Sequence, residues 1–250
     1  MEAAPLVWDQ VRAFALVPFV FEIAIFTNIK LLQAASVETA IVFRTLVPLI
    51  TSYADYAFMD REPPSQQSGA GLLIVVIGAL GYAGSSSGGI RLEDWLWAIA
   101  YLLVLAFEMV YVKYVLESIP MSTWTRVYYN NAIALAMWPP FLLVGAEYSR
   151  LPDALASLQQ SHVLPYVLTS CLVGIGISFT GFGFRNLVTA TTFTVVGVMN
   201  KVLTIFVSIT FLAGANPSPL GLTALLACIG GGTLYRQAPP RKAGSDSSNG

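Results

Sequence analysis

Charged residues are scarce in this chain. Asp, Glu, Lys and Arg make up 11% of its 250 residues, and the formal net charge is −1. Ordinary soluble domains carry about 25% charged residues, so this composition argues against a water-soluble protein. A net charge close to zero also provides no basic surface for nucleic acid, and we expect none as a partner.

Histidine and cysteine are almost absent. The chain has one histidine, His162, and two cysteines, Cys171 and Cys228. Both cysteines lie in apolar stretches, which is typical of small buried hydrophobes rather than of a disulfide or a metal site. His162 lies in a connecting stretch without partners at ligand spacing, and no nucleophile–base set is present. We therefore expect no metal, no cofactor and no enzymatic activity.

Apolar stretches of membrane-spanning length fill most of the sequence, in which 56% of residues are hydrophobic. About 20 apolar residues cross a bilayer as a helix. The fold class predicted is an all-α polytopic membrane protein, with one membrane domain over residues 1–236 and a disordered, cytosolic Pro-, Gly- and Ser-rich tail over 237–250. The eight predicted spans cover residues 12–33, 36–58, 70–86, 94–116, 124–144, 163–183, 190–213 and 219–235.

Lysine and arginine set the expected orientation, since they accumulate on the cytosolic side. One face takes Arg12, Arg61, Lys113, Arg126, Arg185, Arg236, Arg241 and Lys242, whereas the other takes Lys30, Arg91 and Arg150. An even number of spans puts both termini on the same side of the membrane, and this imbalance makes that side the cytosol.

Four charges are predicted to lie well inside the bilayer: Glu22, Arg44, Glu108 and Lys201. Holding Lys201 near the middle of 190–213 costs on the order of 3 kcal/mol or more, unless an acid, a water-filled cavity or an anionic ligand offsets it. Three interpretations stay open. The acids and bases could pair as structural salt bridges, Lys201 could snorkel from a tilted helix, or Arg44 and Lys201 could face one polyanion such as a diphosphate.

The fifth predicted helix carries Tyr128-Tyr129-Asn130-Asn131. Adjacent asparagines are costly in an apolar helix unless their amides are satisfied. They could hydrogen-bond between helices, or they could read the edge of a base while the tyrosines stack on it. Glycines at 174, 176, 181, 183 and 230–232 are expected to allow close helix packing.

The doublet and the lysine together resemble a known signature. Tyr128-Tyr129-Asn130-Asn131 followed by Gly197-Val198-Met199-Asn200-Lys201 is similar to the paired motifs of Golgi GDP-sugar transporters, within the drug/metabolite transporter superfamily. Phe43-Arg44-Thr45-Leu46, continuing to Tyr53 and Asp55, resembles the fourth helix of that family. The family has ten helices in two inverted halves, so this register makes the chain three helices plus five, without the first pair.

The resemblance implies exchange of a cytosolic GDP-sugar for lumenal GMP by alternating access, in the Golgi membrane. The substrate contacts it implies are Tyr53, Tyr129, Asn130, Asn131, Ser178, Phe193, Gly197, Asn200 and Lys201. In this assignment the asparagines and Ser178 hold guanine, and Lys201 faces the diphosphate. The expected partners are the GDP-sugar, GMP, the lipid bilayer and a second copy in a homodimer. The alternatives are transport of a UDP-sugar or a phosphorylated metabolite, or a non-transporting partner of a longer relative.

Overall fold

The computed structural model describes residues 7–35, 37–84, 92–144, 147–160, 163–211 and 219–241. Its helices are α1 Trp8–Phe14, α2 Leu16–Ala34, α3 Val37–Phe58, α4 Gln66–Gly84, α5 Leu92–Ser118, α6 Thr123–Val144, α7 Leu151–Leu158, α8 Val163–Leu187, α9 Ala190–Phe211 and α10 Pro219–Leu234, with a 3₁₀ turn at Glu147–Arg150 before α7. Over these residues the protein has no β-strand, and the only extended pairing is an isolated bridge between Arg61 and Pro240.

Each predicted span has a helix at its position, so the protein is an all-α polytopic membrane protein. Within the described ranges, five helical segments are long and apolar enough to cross a bilayer, and together they include α1 with α2, α4, α5, α8 and α9. The segment α10 is apolar but shorter, at 16 residues. Helices α3 and α6 reach 22 residues but are less apolar, because they carry the buried polar groups described below.

The chain folds as two compact units. Unit 1 comprises Met1–Glu22 and Val115–Leu187, and unit 2 comprises Ile23–Tyr114 and Val188–Gly250. The chain passes from one unit to the other within α2, within α5 and just before α9. Unit 2 takes helices from both parts of the chain, α2 to α5 and α9 with α10.

Unit 1 is organised around a buried aromatic contact. Phe14 of α1 meets Tyr129 of α6 edge-on, with ring centroids 6.4 Å apart, and Phe182 of α8 at 6.1 Å. Most of α8 is otherwise uncovered by the described chain: residues 164–177 are all exposed. Its apolar side chains are therefore available to lipid.

Unit 2 has two apolar clusters joined by α3. One includes Leu31, Phe43, Val47, Tyr101 and Leu105 from α2, α3 and α5, and the other includes Val42, Val75, Val198, Leu225 and Cys228 from α3, α4, α9 and α10. Helices α4 and α10 approach closely at glycines. A Cβ at Gly231 would lie 2.7 Å from the Gly71 carbonyl oxygen.

The segment after α10 was predicted to be disordered from residue 237, but residues 237–241 are held by specific contacts. The Glu62 N–H donates to the Pro239 carbonyl at 3.0 Å, and the Arg241 N–H donates to the Asp60 carbonyl at 2.8 Å. We call residues 235–241 the C-terminal strap. Local composition did not reveal these long-range partners of residues 237–241, and 242–250 lie outside the described residues.

Candidate functional site

Arg44 lines a small cavity in unit 2. This residue lies in the middle of α3, half-buried, and its Nη1 donates to the Tyr101 hydroxyl of α5 at 3.1 Å. Its Nη2 lies 3.7 Å from the position that a Cβ would take at Gly197 of α9. The cavity is lined by Arg44, Val47, Leu105, Met109, Phe193, Thr194 and Gly197. The structure thus brings the intramembrane arginine to two residues of the predicted substrate site, Phe193 and Gly197.

Lys201 continues the same face of α9. Residues four apart lie one above the other on a helix, so Phe193, Gly197 and Lys201 form one row, and Lys201 lies about 6 Å further along the axis than Gly197. Its side chain is exposed, and so is that of Asn200. Two cations, Arg44 and Lys201, are therefore presented on one side of α9.

The salt-bridge interpretation of Lys201 is not supported within the described residues. Glu108 of α5 is 1% exposed and makes contacts of its own, whereas Lys201 is exposed and forms no ion pair with any described acid. Arg44 likewise has no carboxylate partner in the described ranges. Glu22, the last residue of the first segment of unit 1, is half-buried on α2. A lysine in a membrane-length helix without an acid needs water or an anion.

The asparagine doublet lies in unit 1, and its two amides differ in environment. Asn130 is 8% exposed, and no described residue donates to or accepts from its side-chain amide. The Asn131 amide donates to the Val127 carbonyl at 2.8 Å, one turn earlier in α6. Asn131 also lines an open groove together with Trp124, Val127, Tyr128, Ala132, Leu135 and Ile175. Successive helical residues point about 100° apart, which separates the two amides.

Tyr129, a predicted substrate contact, is enclosed within unit 1. It is 0% exposed. Its hydroxyl accepts a hydrogen bond from the Val7 N–H at 3.0 Å and donates to Gln10 Oε1 at 3.2 Å. Tyr129 therefore anchors the start of the described chain to α6, and its predicted contact with substrate has no support from this position.

Within unit 2, the predicted contact Tyr53 lies apart from the Arg44 cavity. Tyr53 is nine residues beyond Arg44, which is half a revolution around α3. It is 69% exposed and lines a groove on the α4 side, with Tyr56, Pro63 and Leu73 among its neighbours. Ser178 is half-buried on α8 in unit 1. The predicted meeting of the asparagine doublet with Lys201 involves both units and stays a prediction, and His162 lies outside the described residues.

Sequence reasoning did not identify Tyr101, because a lone tyrosine in an apolar helix gives no signal of its partner. It also missed the junction of α3 with α9. Asp55 Oδ2 accepts hydrogen bonds from the Thr191 N–H at 3.0 Å and the Thr191 hydroxyl at 2.6 Å. The Thr192 N–H donates to the Thr189 hydroxyl at 3.2 Å, which caps the helix. The run Thr189-Ala190-Thr191-Thr192 could have indicated the cap, since hydroxyl residues favour helix starts.

Comparisons with known proteins agree with this architecture. No protein-family model matches the chain. A solved crystal structure superposes with a TM-score of 0.62 over 93% of this chain and 79% of that one, at 19% identity, which shows the fold alone.

Two curated relatives come from Arabidopsis thaliana. GDP-fucose transporter 1 is 38% identical over 94% of this chain, and GDP-mannose transporter GONST3 is 34% identical over 89%. The chain spans 69% of the length of the first and 60% of the second. A polytopic helical protein that shares more than a third of its residues with a GDP-fucose transporter, along nearly its whole length, belongs to the GDP-sugar transporter family.

Proposed function

We propose that this protein transports a GDP-sugar across the Golgi membrane in exchange for GMP, by alternating access, with both termini in the cytosol. Its relatives are named as GDP-fucose and GDP-mannose transporters, which supports a guanosine diphosphate sugar as the cargo. The observation that carries the proposal is the pair of cations without acidic partners in the described chain, Arg44 and Lys201, on one side of α9.

In this proposal, Arg44 and Lys201 bind the diphosphate of the GDP-sugar. An arginine or lysine in contact with phosphate forms charge-assisted hydrogen bonds, which are about twice as strong as neutral ones. The ammonium of Lys201 is exposed on a membrane-length helix, so an anion in an aqueous cavity offsets its cost. Arg44 adds a planar fork that suits phosphate oxygens. The backbone of α9 passes beside the guanidinium at Gly197, where an added Cβ would lie 3.7 Å from Arg44 Nη2, an ordinary contact distance.

In this proposal, Asn130 recognises the guanine base. Its side chain is 8% exposed, and its amide, which makes no hydrogen bond to a described residue, is not fully enclosed. Such an amide is available to a ligand, because no hydrogen bond within the described chain has to be broken first. An amide offers both a donor and an acceptor, as the edge of guanine requires. Asn131 lines the same groove as Tyr128 and Trp124, whose aromatic rings are suited to stacking on a base.

The test is uptake by the purified full chain in proteoliposomes preloaded with GMP. We expect uptake of GDP-mannose or GDP-fucose above that of protein-free liposomes, and a loss of uptake when internal GMP is omitted. External GMP should compete better than UMP, because the amides read the base. The 38% identical GDP-fucose transporter of Arabidopsis thaliana provides the positive control.

Two outcomes count against the proposal. If the relative transports and this chain takes up neither GDP-sugar, the chain is not a GDP-sugar transporter. If UMP and UDP-sugars compete as well as GMP, the cargo is not defined by guanine, and transport of a UDP-sugar or another phosphorylated metabolite replaces the proposal.

A further inference from the structure

Tyr101 is a buried tyrosine with a charged partner. It lies on α5, is 3% exposed, and its hydroxyl accepts the hydrogen bond from Arg44 Nη1 at 3.1 Å. Buried tyrosine hydroxyls generally need a partner. Here the partner is the guanidinium that the proposed function assigns to the substrate phosphates.

The rest of the surroundings of Arg44 does little to orient it. The cavity wall is mainly apolar, with Val47, Leu105, Met109 and Phe193. The one hydroxyl in that wall belongs to Thr194, and it is within hydrogen-bonding distance of the Thr51 hydroxyl and the Thr191 carbonyl. Among the described residues, Tyr101 is the hydrogen-bond partner of Arg44, and no described acid neutralises its charge.

We propose that Tyr101 is a positioning residue that fixes the Arg44 guanidinium for the phosphates of the nucleotide. This inference rests on the proposed function and adds to it a residue that does not itself touch the substrate. Arginine has a long flexible stem, so orienting it before binding removes an entropic cost from the binding step. A neutral partner suits this role, because a hydroxyl orients the guanidinium without cancelling the charge that attracts the ligand.

The experiment measures binding of GDP and of guanosine to the purified full chain in detergent. Guanosine has the same base but no phosphate. Tyr101→Phe keeps the ring and removes only the hydroxyl, so the fold should be retained. We expect the affinity for GDP to fall about tenfold while that for guanosine is unchanged.

Tyr111→Phe is the matched control. Tyr111 is a half-buried tyrosine of the same helix, about 15 Å further along the axis than Tyr101. It stacks on Phe107, with ring centroids 5.5 Å apart. Its substitution removes a hydroxyl from α5 without altering the bond to Arg44, so the affinities for GDP and for guanosine should both stay unchanged.

A second arm tests whether Tyr101 acts through Arg44. In an Arg44→Met background, Tyr101→Phe should cause no further loss of GDP affinity, since the group that it positions is gone. Losses that add in the double variant would overturn the inference, and so would an equal loss of GDP and guanosine binding in Tyr101→Phe alone.

The two proposals fail in different ways. If the unaltered chain binds GDP and Tyr101→Phe binds it equally well, only the positioning role is wrong. If the unaltered chain binds no guanine nucleotide, while the relative used as a positive control does, the proposed function and this inference both fail.

Discussion

At the scale of single residues, the intramembrane charges differ in burial and in their partners. Glu108 is buried and has contacts within the chain, Arg44 is half-buried beside Tyr101, and Lys201 is exposed without an acidic partner among the described residues. A charge that the protein stabilises serves the fold, whereas a charge left unpaired on a membrane-length helix is available to a ligand. This difference singles out Lys201 for substitution.

Lys201→Ala should lower the affinity for GDP-sugars by at least about tenfold, while membrane insertion and the unfolding temperature are retained. The reason is that the substitution removes an anion contact but breaks no ion pair with the described chain. Binding and thermal unfolding in detergent provide the measurements. Lys30→Ala is the control, since Lys30 lies over the Phe26 ring near the end of α2.

A destabilised Lys201→Ala variant would instead identify a structural ion pair. In that case Lys201→Ala would lower the unfolding temperature, and adding Glu108→Ala would restore it.

At the scale of helices, close packing depends on individual glycines rather than on glycine content. Helices α4 and α10 meet at Gly71, Gly78 and Gly231, where added Cβ atoms would lie 2.7 Å from atoms of the facing helix. The predicted packing role of the α8 glycines is wrong for Gly174 and its neighbours at 176 and 181, where an added Cβ would have no atom of the described chain within 4 Å. Small residues in a membrane helix allow close approach only where a second helix is present.

Gly231→Ala should destabilise the protein by about 1–3 kcal/mol, because its Cβ would meet backbone atoms of α4 that cannot move independently. Gly230→Ala, one residue earlier, meets nothing of the described chain within 4 Å and should be neutral or stabilising by up to about 1 kcal/mol through helix propensity. Unfolding of both variants in the same detergent makes the comparison. Equal effects at the two positions would contradict the proposed packing.

At the scale of the whole molecule, unit 2 joins distant parts of the chain. The C-terminal strap reaches the last turn of α3, where the Arg241 guanidinium lies 4.7 Å from the centre of the Tyr56 ring. The Arg236 N–H donates to the Ser68 hydroxyl at 3.1 Å, which ties the other end of the strap to the start of α4. The strap is therefore fixed along its length rather than at a single point.

The strap also holds the start of α9, the helix that carries Lys201. Gln237 Oε1 accepts hydrogen bonds from the Thr189 N–H at 3.4 Å and the Thr192 hydroxyl at 3.2 Å. Burial raises the pKa of the neighbouring Tyr235 phenol. These contacts make the position of the helix start dependent on the strap.

Gln237→Ala should loosen this end of α9, at a cost of about 0.5–1.5 kcal/mol, because two donors at the helix start lose their acceptor. Hydrogen exchange should become faster in a peptide covering residues 188–192 and stay unchanged in α10. Gln160→Ala, at an exposed position after α7, is the control. Unchanged exchange at 188–192 would mean that the strap does not hold α9.

The sequence by itself determined the membrane class, the helix positions and the candidate charges. Hydrophobic length is a local property, and eight apolar stretches left little choice about where helices form. Asn130 and Lys201 could likewise be identified from the sequence, because amides and charges are rare in the bilayer interior, and Gly197 could be identified from the motif that it shares with Lys201.

Only the tertiary structure decided which of these residues serve the fold. It buried Tyr129 against Gln10, turned Tyr53 to the far side of α3 from Arg44, and gave Arg44 its partner in Tyr101. It also paired the strap with residues about 180 positions earlier in the chain. Such contacts depend on which helix faces meet, and no local pattern in the sequence encodes that choice.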